Sequence, residues 1–388
     1  MIRVPLIRIL VSYVTAGAGH RRAAEALAQA LGERYPHAEI RCVDVLTYAS
    51  GRFRAFYAWT YLFLVRHAQW VWRIGYGLLD RGPIYRCVQP LRRRWNLHIA
   101  RRFVAWLKEQ PPDLVVVTHF LAADVCSAGR EQGWLAAPLV VVVTDMHPHR
   151  FWVSLSADAM VISTTEGADV LMRCGIAQER VRILGIPIAN AFSAPVDRAA
   201  LRERFHLHPD RLTVLVTSGG TTVGRFESVV ESLCSLEEIA PGRVQLLVVC
   251  GEDAASQARL TQRAKRRPMP MQVFGFVDYM PDLMAVSSLI VAKAGGLTVS
   301  EALGRGVPLV LYHVIPGQEQ LNAAYVVRRG AAVLAPHPPD VAQAVLRLVQ
   351  QPEALALMRE AVRTISHPES AGAIVSEVIG PFLRSSGG

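Results

Sequence analysis

The stretch Leu6-Ile-Arg-Ile-Leu-Val-Ser-Tyr-Val-Thr15 runs into Ala16-Gly-Ala-Gly-His20, and a helical pattern follows at Arg21–Leu31. The same order returns in the second half of the chain, where Leu212–Thr217 precedes Ser218-Gly-Gly-Thr-Thr222 and another helical pattern. A strand, a glycine turn and a helix in this order are typical of the first unit of an α/β domain. This weak internal repeat predicts two such domains.

Short, largely apolar runs recur along the chain and alternate with helical patterns. Runs that are apolar throughout, instead of at every second residue, are typical of parallel strands buried on both faces. The predicted strands are Leu6–Val14, Leu114–Thr118, Leu139–Val143, Val181–Leu184, Leu212–Thr217, Val244–Cys250, Leu289–Ala292 and Val307–Leu311. Strands that alternate with helices form parallel sheets with crossover connections, so the predicted class is α/β.

Composition supports a globular chain of this kind. The chain has 388 residues, of which 51% are hydrophobic and 19% are charged, which excludes disordered and fibrous classes. At ~100–200 residues per domain, this length favours two domains. The formal net charge of +10 favours an anionic partner, and charge alone leaves open nucleic acid, a phospholipid surface or a phosphorylated substrate.

The cysteines and the N terminus indicate the compartment. The six cysteines contain no C-x-x-C pair, and the N terminus lacks the basic start and apolar run of a signal peptide. We therefore expect a reducing cytoplasm. The aromatic-rich run Ala55–Val65 is shorter than the ~20 residues that span a bilayer, which leaves peripheral attachment open.

Proline positions indicate where the two domains meet. Gly185–Pro195 carries two prolines and no helical period, which is typical of an extended hinge. We place the boundary near Phe192, which gives domains at 1–192 and 193–366. Residues 367–388 read as a C-terminal helix that could pack on either domain.

Residues 51–108, the basic aromatic segment, depart from the α/β pattern. They hold five of the seven tryptophans, eleven arginines, one lysine and a single acid, Asp80. We expect membrane-docking helices here. Placed on a helix, Trp59, Phe63, Arg66, Trp70 and Arg73 fall on one side, where rings could enter a headgroup layer and guanidinium groups could meet lipid phosphates. The expected membrane-facing side chains are Trp59, Phe63, Arg66, Trp70, Arg73, Arg92, Arg93 and Arg94. The alternative is an ordinary helix core with a solvated rim, and the near absence of acids favours an anionic membrane surface.

The first glycine turn places a histidine at the start of a helix. Gly17 and Gly19 match part of a dinucleotide-binding turn, but Arg22 stands where the third glycine belongs, so the NAD signal is weak. His20 could instead face an interdomain cleft and act as a base, since imidazole titrates near neutral pH. A helix-terminal histidine without a catalytic role is an equal alternative.

A second polar cluster follows the predicted strand Leu139–Val143. Asp145, His147 and His149 lie at the carboxyl end of that strand, where catalytic groups collect in open α/β sheets. Because no fourth ligand accompanies them, we expect no metal. His119 follows another predicted strand and could face the same cleft, although a structural role is the stronger alternative for it.

The most specific motif opens a helix after a predicted strand. Backbone amides at Gly295 and Gly296, unshielded by side chains, would form an anion site suited to a diphosphate. Glu301 could accept hydrogen bonds from a ribose, or could be an acid favoured by the helix dipole. Gln318 and Glu319 open the next helix, where they could grip sugar hydroxyls or act as a helix cap.

Together these motifs resemble the monogalactosyldiacylglycerol synthase and processive diacylglycerol glucosyltransferase family over about residues 8–335. The C-terminal half also resembles the enzyme that adds N-acetylglucosamine to lipid I. The motifs are Gly17-x-Gly19-His20-Arg21-x-x-Ala24-Glu25-Ala26, Thr144-Asp145-x-x-x-His149-x-x-Trp152, Gly185-Ile-Pro187, Lys293-x-Gly-Gly-x-Thr298-x-x-Glu301 and Gly317-Gln318-Glu319-x-x-Asn322. Both relatives are inverting glycosyltransferases of the GT-B fold that use UDP-sugars without a catalytic metal. The resemblance implies two Rossmann-like domains facing an interdomain cleft, with 1–192 on the acceptor and membrane side and 193–366 binding the UDP-sugar.

Matching positions give the site residues that the resemblance implies. The donor-side residues are Thr221 and the turn Gly295–Gly296 for the diphosphate, the main-chain amide of Val277 for the uracil, Glu301 for the ribose, Gln318 with Glu319 for the hexose, and Thr298 and Asn322. The acceptor-side residues are Gly17, Gly19, His119, His149 and Trp152, with His20 and Asp145 as candidate bases. Arg225 departs from the family pattern, which has a smaller or apolar residue there, so the phosphate contacts of its loop stay open.

The expected function is transfer of a hexose from a UDP-hexose to a lipid hydroxyl, with inversion and with diacylglycerol as the first acceptor to expect. No cofactor is expected beyond the donor substrate, and the protein would work peripherally on an anionic membrane surface at its cytoplasmic face. The main alternative is a UDP-GlcNAc or other UDP-sugar transferase acting on a polyprenyl-linked or other lipid acceptor, followed by a UDP-sugar epimerase. A basic nucleic-acid-binding protein would explain the charge but not Glu301, Gln318 and Glu319, so we expect no nucleic-acid partner.

Overall fold

The computed structural model describes residues 6–15, 17–219 and 225–385. Their contacts divide the chain into two units. Unit 1 comprises the residues up to Asn190, Pro316–Gln318 and the residues from Glu369 onward, and unit 2 comprises Ala191–Ile315 and Glu319–Pro368.

Unit 1 contains a parallel six-stranded sheet. Its strands are β1 Arg8–Tyr13, β2 Glu39–Asp44, β3 Leu114–Val117, β4 Leu139–Val142, β5 Ala159–Ile162 and β6 Val181–Ile183, in the order β2-β1-β3-β4-β5-β6. Its helices up to the first crossing into unit 2 are α1 Ala18–Arg34, α2 Gly51–His67, α3 Gln69–Leu79, α4 Gly82–Ile99, α5 Arg101–Glu109, α6 Phe120–Glu131 and α7 Thr165–Arg173. Short 3-10 turns lie at Val45–Tyr48, Arg150–Trp152 and Gln178–Arg180.

The centre of this sheet is buried because its residues are apolar on both faces. Strands β3 and β4 both read Leu-Val-Val-Val and are fully buried, and β-branched residues pack well on a pleated surface. Side chains of β1 alternate between the two layers: Leu10 packs in the layer of Phe103, and Ile9 packs in the layer of Leu27. The period of two residues per strand thus divides one apolar run between two cores.

Unit 2 contains a second parallel six-stranded sheet. Its strands are β7 Leu212–Thr217, β8 Val244–Val249, β9 Met271–Phe274, β10 Leu289–Ala292, β11 Leu309–Leu311 and β12 Ala332–Leu334, in the order β12-β11-β10-β7-β8-β9. The helices are α8 Arg198–Arg204, α9 Phe226–Cys234, α10 Leu236–Ile239, α11 Ala254–Ala264, α12 Met280–Val286, α13 Gly296–Gly304, α14 Gln318–Arg328, α15 Pro338–Gln350 and α16 Pro352–Ile365. A further 3-10 turn lies at Asn190–Phe192.

In each sheet the strand order reverses at one place. The chain runs from β1 out to β2 and returns on the other side of β1 as β3. In unit 2 it runs from β7 through β8 to β9 and returns beside β7 as β10. Open parallel sheets bind ligands at such switch points, beyond the carboxyl ends of the strands. We therefore look for the functional residues just after β1, β3, β7 and β10.

The end of the chain packs on unit 1. It forms α17 Ser370–Ala373, a π-helical turn Ile374–Ile379 and α18 Gly380–Ser385. Ile374 and Val378 are buried in the same apolar cluster as Leu27 of α1. Ser370 donates a hydrogen bond from Oγ to the carbonyl of Ile186 at 2.8 Å, which ties the segment to the loop after β6.

The two sheets confirm the predicted α/β class with two Rossmann-like domains, and all eight predicted strands are present. Within the basic aromatic segment, the residues from Trp59 to Arg73 do not lie on one helix as expected. Helix α2 ends at His67 and α3 begins at Gln69, because Ala68 has the non-helical angles φ −134° and ψ 45°. The expected stripe of aromatic and arginine side chains is therefore divided between two helices. Within the part that the structure describes, no helix has the length and apolar character needed to cross a membrane.

Candidate active site

His20 lies in the first turn of α1, at the switch point of unit 1. Its Nδ1 atom is 2.9 Å from the carbonyl oxygen of Thr118 and 2.8 Å from Oγ1 of Thr144. Since a carbonyl oxygen can only accept, Nδ1 carries the proton and donates it, which leaves the lone pair on Nε2. The backbone after β3 thus sets the tautomer that a base requires.

Burial lowers the pKa of His20 to about 4, and the hydrogen bond to the Thr118 carbonyl works against this shift. The ring is therefore neutral at pH 7. The groups that contact its Nδ1 are the carbonyl of Thr118 and the hydroxyl of Thr144.

His119 and Trp152 form the surroundings of His20. The His119 ring meets the His20 ring edge-on at 4.6 Å between centroids, and the Trp152 ring lies at 6.2 Å. His119 is buried and accepts a hydrogen bond at Nδ1 from the backbone N–H of Leu121 at 3.0 Å, as the cap of α6. Burial, with the nearby positive charges, keeps the pKa of His119 well below its ordinary value, so this imidazole is also neutral.

Asp145 and His149 lie on the side of α3. His149 accepts from the N–H of Phe151 at Nδ1, 3.1 Å away, and donates from Nε2 to the carbonyl of Tyr76, 3.0 Å away. Both ring nitrogens are thus occupied by backbone groups, and His149 ties the turn at Arg150–Trp152 to α3. Asp145 is buried. The pKa of Tyr76 is raised mainly by the burial of Tyr76 and further by the negative charge of Asp145.

No group of three His, Cys, Asp or Glu side chains in the described ranges is arranged to hold a metal ion. His147 and His149, which the sequence analysis weighed as ligands, follow Asp145 on a loop where His149 is already bonded to backbone groups.

The switch point of unit 2 brings Gly219 and Lys293 together. Gly219 has a left-handed φ of +72°, and a Cβ at that position would lie 3.5 Å from Cε of Lys293. Helix α13 follows with Gly295 as its N-cap and no side-chain hydrogen bond capping it. Among the described residues, no atom lies within 4 Å of a Cβ built on Gly295. Backbone N–H groups at the start of a helix bind anions, and this N-cap leaves space beside them.

One side chain of α14 supports this turn, and Glu301 is buried in α13. Asn322 of α14 is buried and donates from Nδ2 to the carbonyl of Ala294 at 3.1 Å. Glu301 is buried, at 3% exposed, and it lies beyond the first turn of α13, which contains no acid. The alternative that Glu301 is a first-turn acid favoured by the helix dipole therefore does not hold. Thr298, in the first turn, is half-buried.

The other predicted donor-side residues that the structure describes lie at the start of α14 or on the loop after β9. Glu319 accepts a hydrogen bond at Oε2 from the N–H of Ile315 at 3.0 Å. Burial raises the pKa of Glu319, and this hydrogen bond and the charge of Lys293 oppose the rise. Gln318 begins α14 and is half-buried, and Val277 is buried after β9. Thr221 lies outside the described residues.

Sequence reasoning missed three polar groups near these switch points. Thr118 and Thr144 act through oxygen atoms that meet His20, and only the strand register could reveal this. His313 follows β11 with a left-handed φ of 44°, which is uncommon and costly for a side chain other than glycine. Within the described part of the chain, its buried Nε2 makes no hydrogen bond. A histidine directly after a predicted strand was the available signal.

The basic aromatic segment exposes large apolar side chains. Among those the sequence analysis named, Trp59 is 59%, Phe63 44% and Trp70 66% exposed, and Arg73 is exposed as well. The side chain of Arg66 lies outside what the structure describes. Monomeric proteins seldom expose such a concentration of rings, which usually marks an interaction surface.

The three consecutive arginines of α4 have different surroundings. Arg92 is only 11% exposed in its side chain and donates from Nη2 to Oδ1 of Asp124 at 2.9 Å. Arg93 pairs through Nη1 with Glu131 at 2.6 Å. Only Arg94 is exposed. Arg92 is therefore a buried structural cation and not the membrane-facing side chain expected from the sequence, because α4 packs its other face on α6.

Solved structures of similar fold place the chain in a class. MurG from Acinetobacter baumannii matches with a TM-score of 0.61 at 16% identity, over 96% of this chain and 99% of its own. S. aureus MnaA with UDP matches with a TM-score of 0.64 at 14% identity, over 98% of this chain and 97% of its own. At these identities the likeness concerns the fold alone, and it confirms the predicted GT-B fold.

The family follows from sequence. Residues 20–188 match the family model described as monogalactosyldiacylglycerol (MGDG) synthase, and residues 213–372 match the glycosyltransferase family 28 C-terminal domain. Relatives named processive diacylglycerol beta-glucosyltransferase, from Bacillus cereus (strain 03BB102) and Bacillus mycoides (strain KBAB4), are each 30% identical over 74% of this chain and 72% of their own. The chain belongs to this family of glycosyltransferases, as the motifs predict.

Proposed function

We propose that this glycosyltransferase moves a hexose from a UDP-hexose to the free hydroxyl of diacylglycerol, with inversion, on an anionic membrane surface. One observation carries the proposal: His20 is a neutral imidazole with its lone pair on Nε2, and it lies at the switch point of unit 1. The relatives of this chain are named for glucosyl transfer to diacylglycerol. The residue roles below extend this proposal to each unit.

His20 is the proposed acceptor-side base. Its Nε2 takes the proton of the lipid hydroxyl as that oxygen attacks the anomeric carbon on the side opposite the diphosphate. The imidazolium that forms keeps its Nδ1–H bonds to the Thr118 carbonyl and the Thr144 hydroxyl, which stabilise positive charge. One displacement gives inversion. Asp145 remains the rival base, and it is buried near Tyr76.

Unit 2 is the proposed donor site. The N–H groups at the start of α13 and the ammonium group of Lys293 are suited to the negative charge that develops on the leaving diphosphate. Glu301 is the proposed ribose ligand, and Gln318 with Glu319 the proposed hexose ligands. These groups supply charge stabilisation without a divalent ion, so none is included in the proposal.

The basic aromatic segment is the proposed membrane surface. Exposed rings at Trp59, Phe63 and Trp70 can enter the headgroup layer, and exposed arginines such as Arg73 and Arg94 can meet lipid phosphates. Since the lipid substrate resides in the bilayer, a protein that binds it gains from peripheral attachment, here at the cytoplasmic face.

The test is incubation of the protein with total lipid extract and labelled UDP-glucose or UDP-galactose, followed by separation of the lipids. We expect label in a glycolipid formed by addition of the hexose to diacylglycerol, and far less of it when His20→Ala replaces the native chain. Label in a polyprenyl-linked product would show that the acceptor is a polyprenyl lipid and not diacylglycerol. Conversion of the UDP-sugar without any labelled lipid would show that the reaction is epimerisation and not transfer.

A further inference from the structure

Unit 1 contains a cavity of about 450 Å³. Its walls come from α4, α6, the turn at Arg150–Trp152 with the loop after it, and the end of α7. This volume falls within the range of small-ligand pockets. No predicted catalytic or donor residue lines it.

Arginines line the cavity from three of these elements. Arg86 and Arg93 come from α4, Arg150 from the turn and Arg173 from the end of α7. The acids in the lining are Asp124 and Glu131, so cations outnumber anions in the wall. Arg150 is engaged through Nε with the carbonyl of Asp80 at 2.6 Å.

The other arginines retain unused donors. Arg86 and Arg173 are exposed at the rim and have no ion-pair partner among the described residues. Arg93 uses Nη1 for Glu131, whereas its Nη2 is buried without a hydrogen bond within the described ranges. Arg92 lies beside the cavity, and its Nε and Nη1 atoms are also buried without a hydrogen bond within the described ranges. Buried cationic donors without acceptors are costly, so an anionic ligand would offset a real penalty.

Apolar side chains complete the wall. Phe151 lies under the guanidinium of Arg92, with 4.3 Å between the guanidinium carbon and the ring centroid. Tyr85, Val153 and Leu155 line the cavity beside it. The pocket therefore offers arginine donors together with a surface for a short hydrocarbon portion.

We propose that this cavity binds the phosphate group of an organic phosphate ester, with Arg86, Arg93 and Arg173 as its ligands. Guanidinium groups match phosphate oxygens in a bidentate manner, and several of them around one pocket favour a group with several charged oxygens over a carboxylate. The ester could be a phospholipid headgroup or a soluble glycerol phosphate. None of the proposed donor residues lines this cavity.

The first test uses soluble probes. Inorganic phosphate and glycerol 3-phosphate are titrated by calorimetry into the full chain with UDP present in excess, so that any nucleotide site is filled. The double variant Arg86→Gln/Arg173→Gln changes two exposed side chains and should leave the fold intact. Arg94→Gln, exposed on the same helix and outside the lining, is the control. We expect roughly a tenfold or greater loss of affinity for each guanidinium removed and no change in the control.

The second test uses vesicles of phosphatidylcholine with and without phosphatidylglycerol. If the ligand is a lipid headgroup, the pocket double variant loses more binding to the phosphatidylglycerol vesicles than the control Arg94→Gln/Arg81→Gln, which neutralises one charge on α4 and one at its N-cap. If the ligand is soluble, both double variants lose vesicle binding equally while only the pocket variant loses glycerol 3-phosphate. Equal losses in both assays, or no binding in either, would overturn the proposal.

Discussion

The switch points of the two units share a backbone plan and differ in side-chain chemistry. Both place a helix after a glycine N-cap, α1 after Gly17 and α13 after Gly295, and neither helix has a side-chain cap. In unit 1 a histidine fills the first turn, and burial keeps it neutral. In unit 2 the N-cap leaves space beside the first turn, and Lys293 lies close to Gly219. The same backbone arrangement can therefore provide a proton acceptor or an anion-binding site, according to the residues that follow the glycine.

The largest expected effect tests the unit 1 side of this comparison. His20→Ala should lower turnover by ~10²–10⁴-fold, the range for losing a general base, with UDP affinity by calorimetry unchanged. Asp145→Asn is the parallel variant. Near-normal turnover in His20→Ala together with an inactive Asp145→Asn would assign the base to Asp145.

The pKa of His20 also predicts how stability depends on pH. Its folded value of about 4 lies below the unfolded value of about 6.5, so between these values the unfolded chain binds more protons. The neutral ring therefore contributes fully above about pH 6.5, and this contribution, about 3 kcal/mol, is lost as the pH falls towards 4. Denaturant unfolding of the native chain and of His20→Gln at pH 7 and near pH 4 should show a smaller loss in the variant. Identical losses would mean that the ring is solvated in the folded chain.

Glu301→Ala tests the unit 2 side. The variant loses one charge-assisted contact to UDP, typically ~1.5–3 kcal/mol, or roughly ten- to over a hundred-fold in affinity. Glu353→Ala removes an exposed glutamate from another helix of unit 2 and serves as the control. Calorimetric UDP affinity that is unchanged in Glu301→Ala would remove this residue from the donor site.

Attachment of unit 1 to membranes should depend on its exposed cations. Arg52 and Arg94 are exposed, and at ~1 kcal/mol for each basic residue near an anionic surface, Arg52→Gln/Arg94→Gln should weaken vesicle binding about thirtyfold. Arg347→Gln, exposed in unit 2, is the single-site control. Equal binding of the native chain to neutral and anionic vesicles in cosedimentation would contradict the electrostatic part.

The smallest expected effect is that of chelation. Because the unit 2 switch point offers backbone amides and Lys293 for a diphosphate, excess EDTA should leave turnover largely intact. A dialysed enzyme that is inactive and regains turnover with magnesium or manganese would show that the unit 2 switch point needs a divalent ion to stabilise the leaving diphosphate.

Apolar patterning predicted the interior of both sheets and missed mostly their edges. Strands β2, β9 and β12 lie at sheet edges and are only partly buried along their length, so they carry no continuous apolar run. Strand β5 is an exception. Its sequence Ala-Met-Val-Ile is apolar and fully buried, so the same pattern could have predicted it. The break at Ala68 carries no proline or glycine signal, and a helical period alone therefore joined α2 and α3.

The candidate site divides in the same way. Glycine turns after strands are local features, so Gly17, His20 and Gly295 could be recognised from sequence. Arg92 could not be distinguished from Arg94, because which face of α4 is buried depends on α6, and the partner Asp124 is 32 residues away.

The sequence by itself determined the α/β class, the two domains, the family and the residues at each strand end, because apolar runs and glycine turns act over a few neighbouring residues. Only the tertiary structure decided which groups meet. Parallel pairing of β1 with β3 in one register brings Thr118 to His20 across 98 residues, and this contact sets the tautomer of the proposed base. The final segment packs on α1 for a similar reason, since Ile374 and Leu27 share a core that no local pattern specifies.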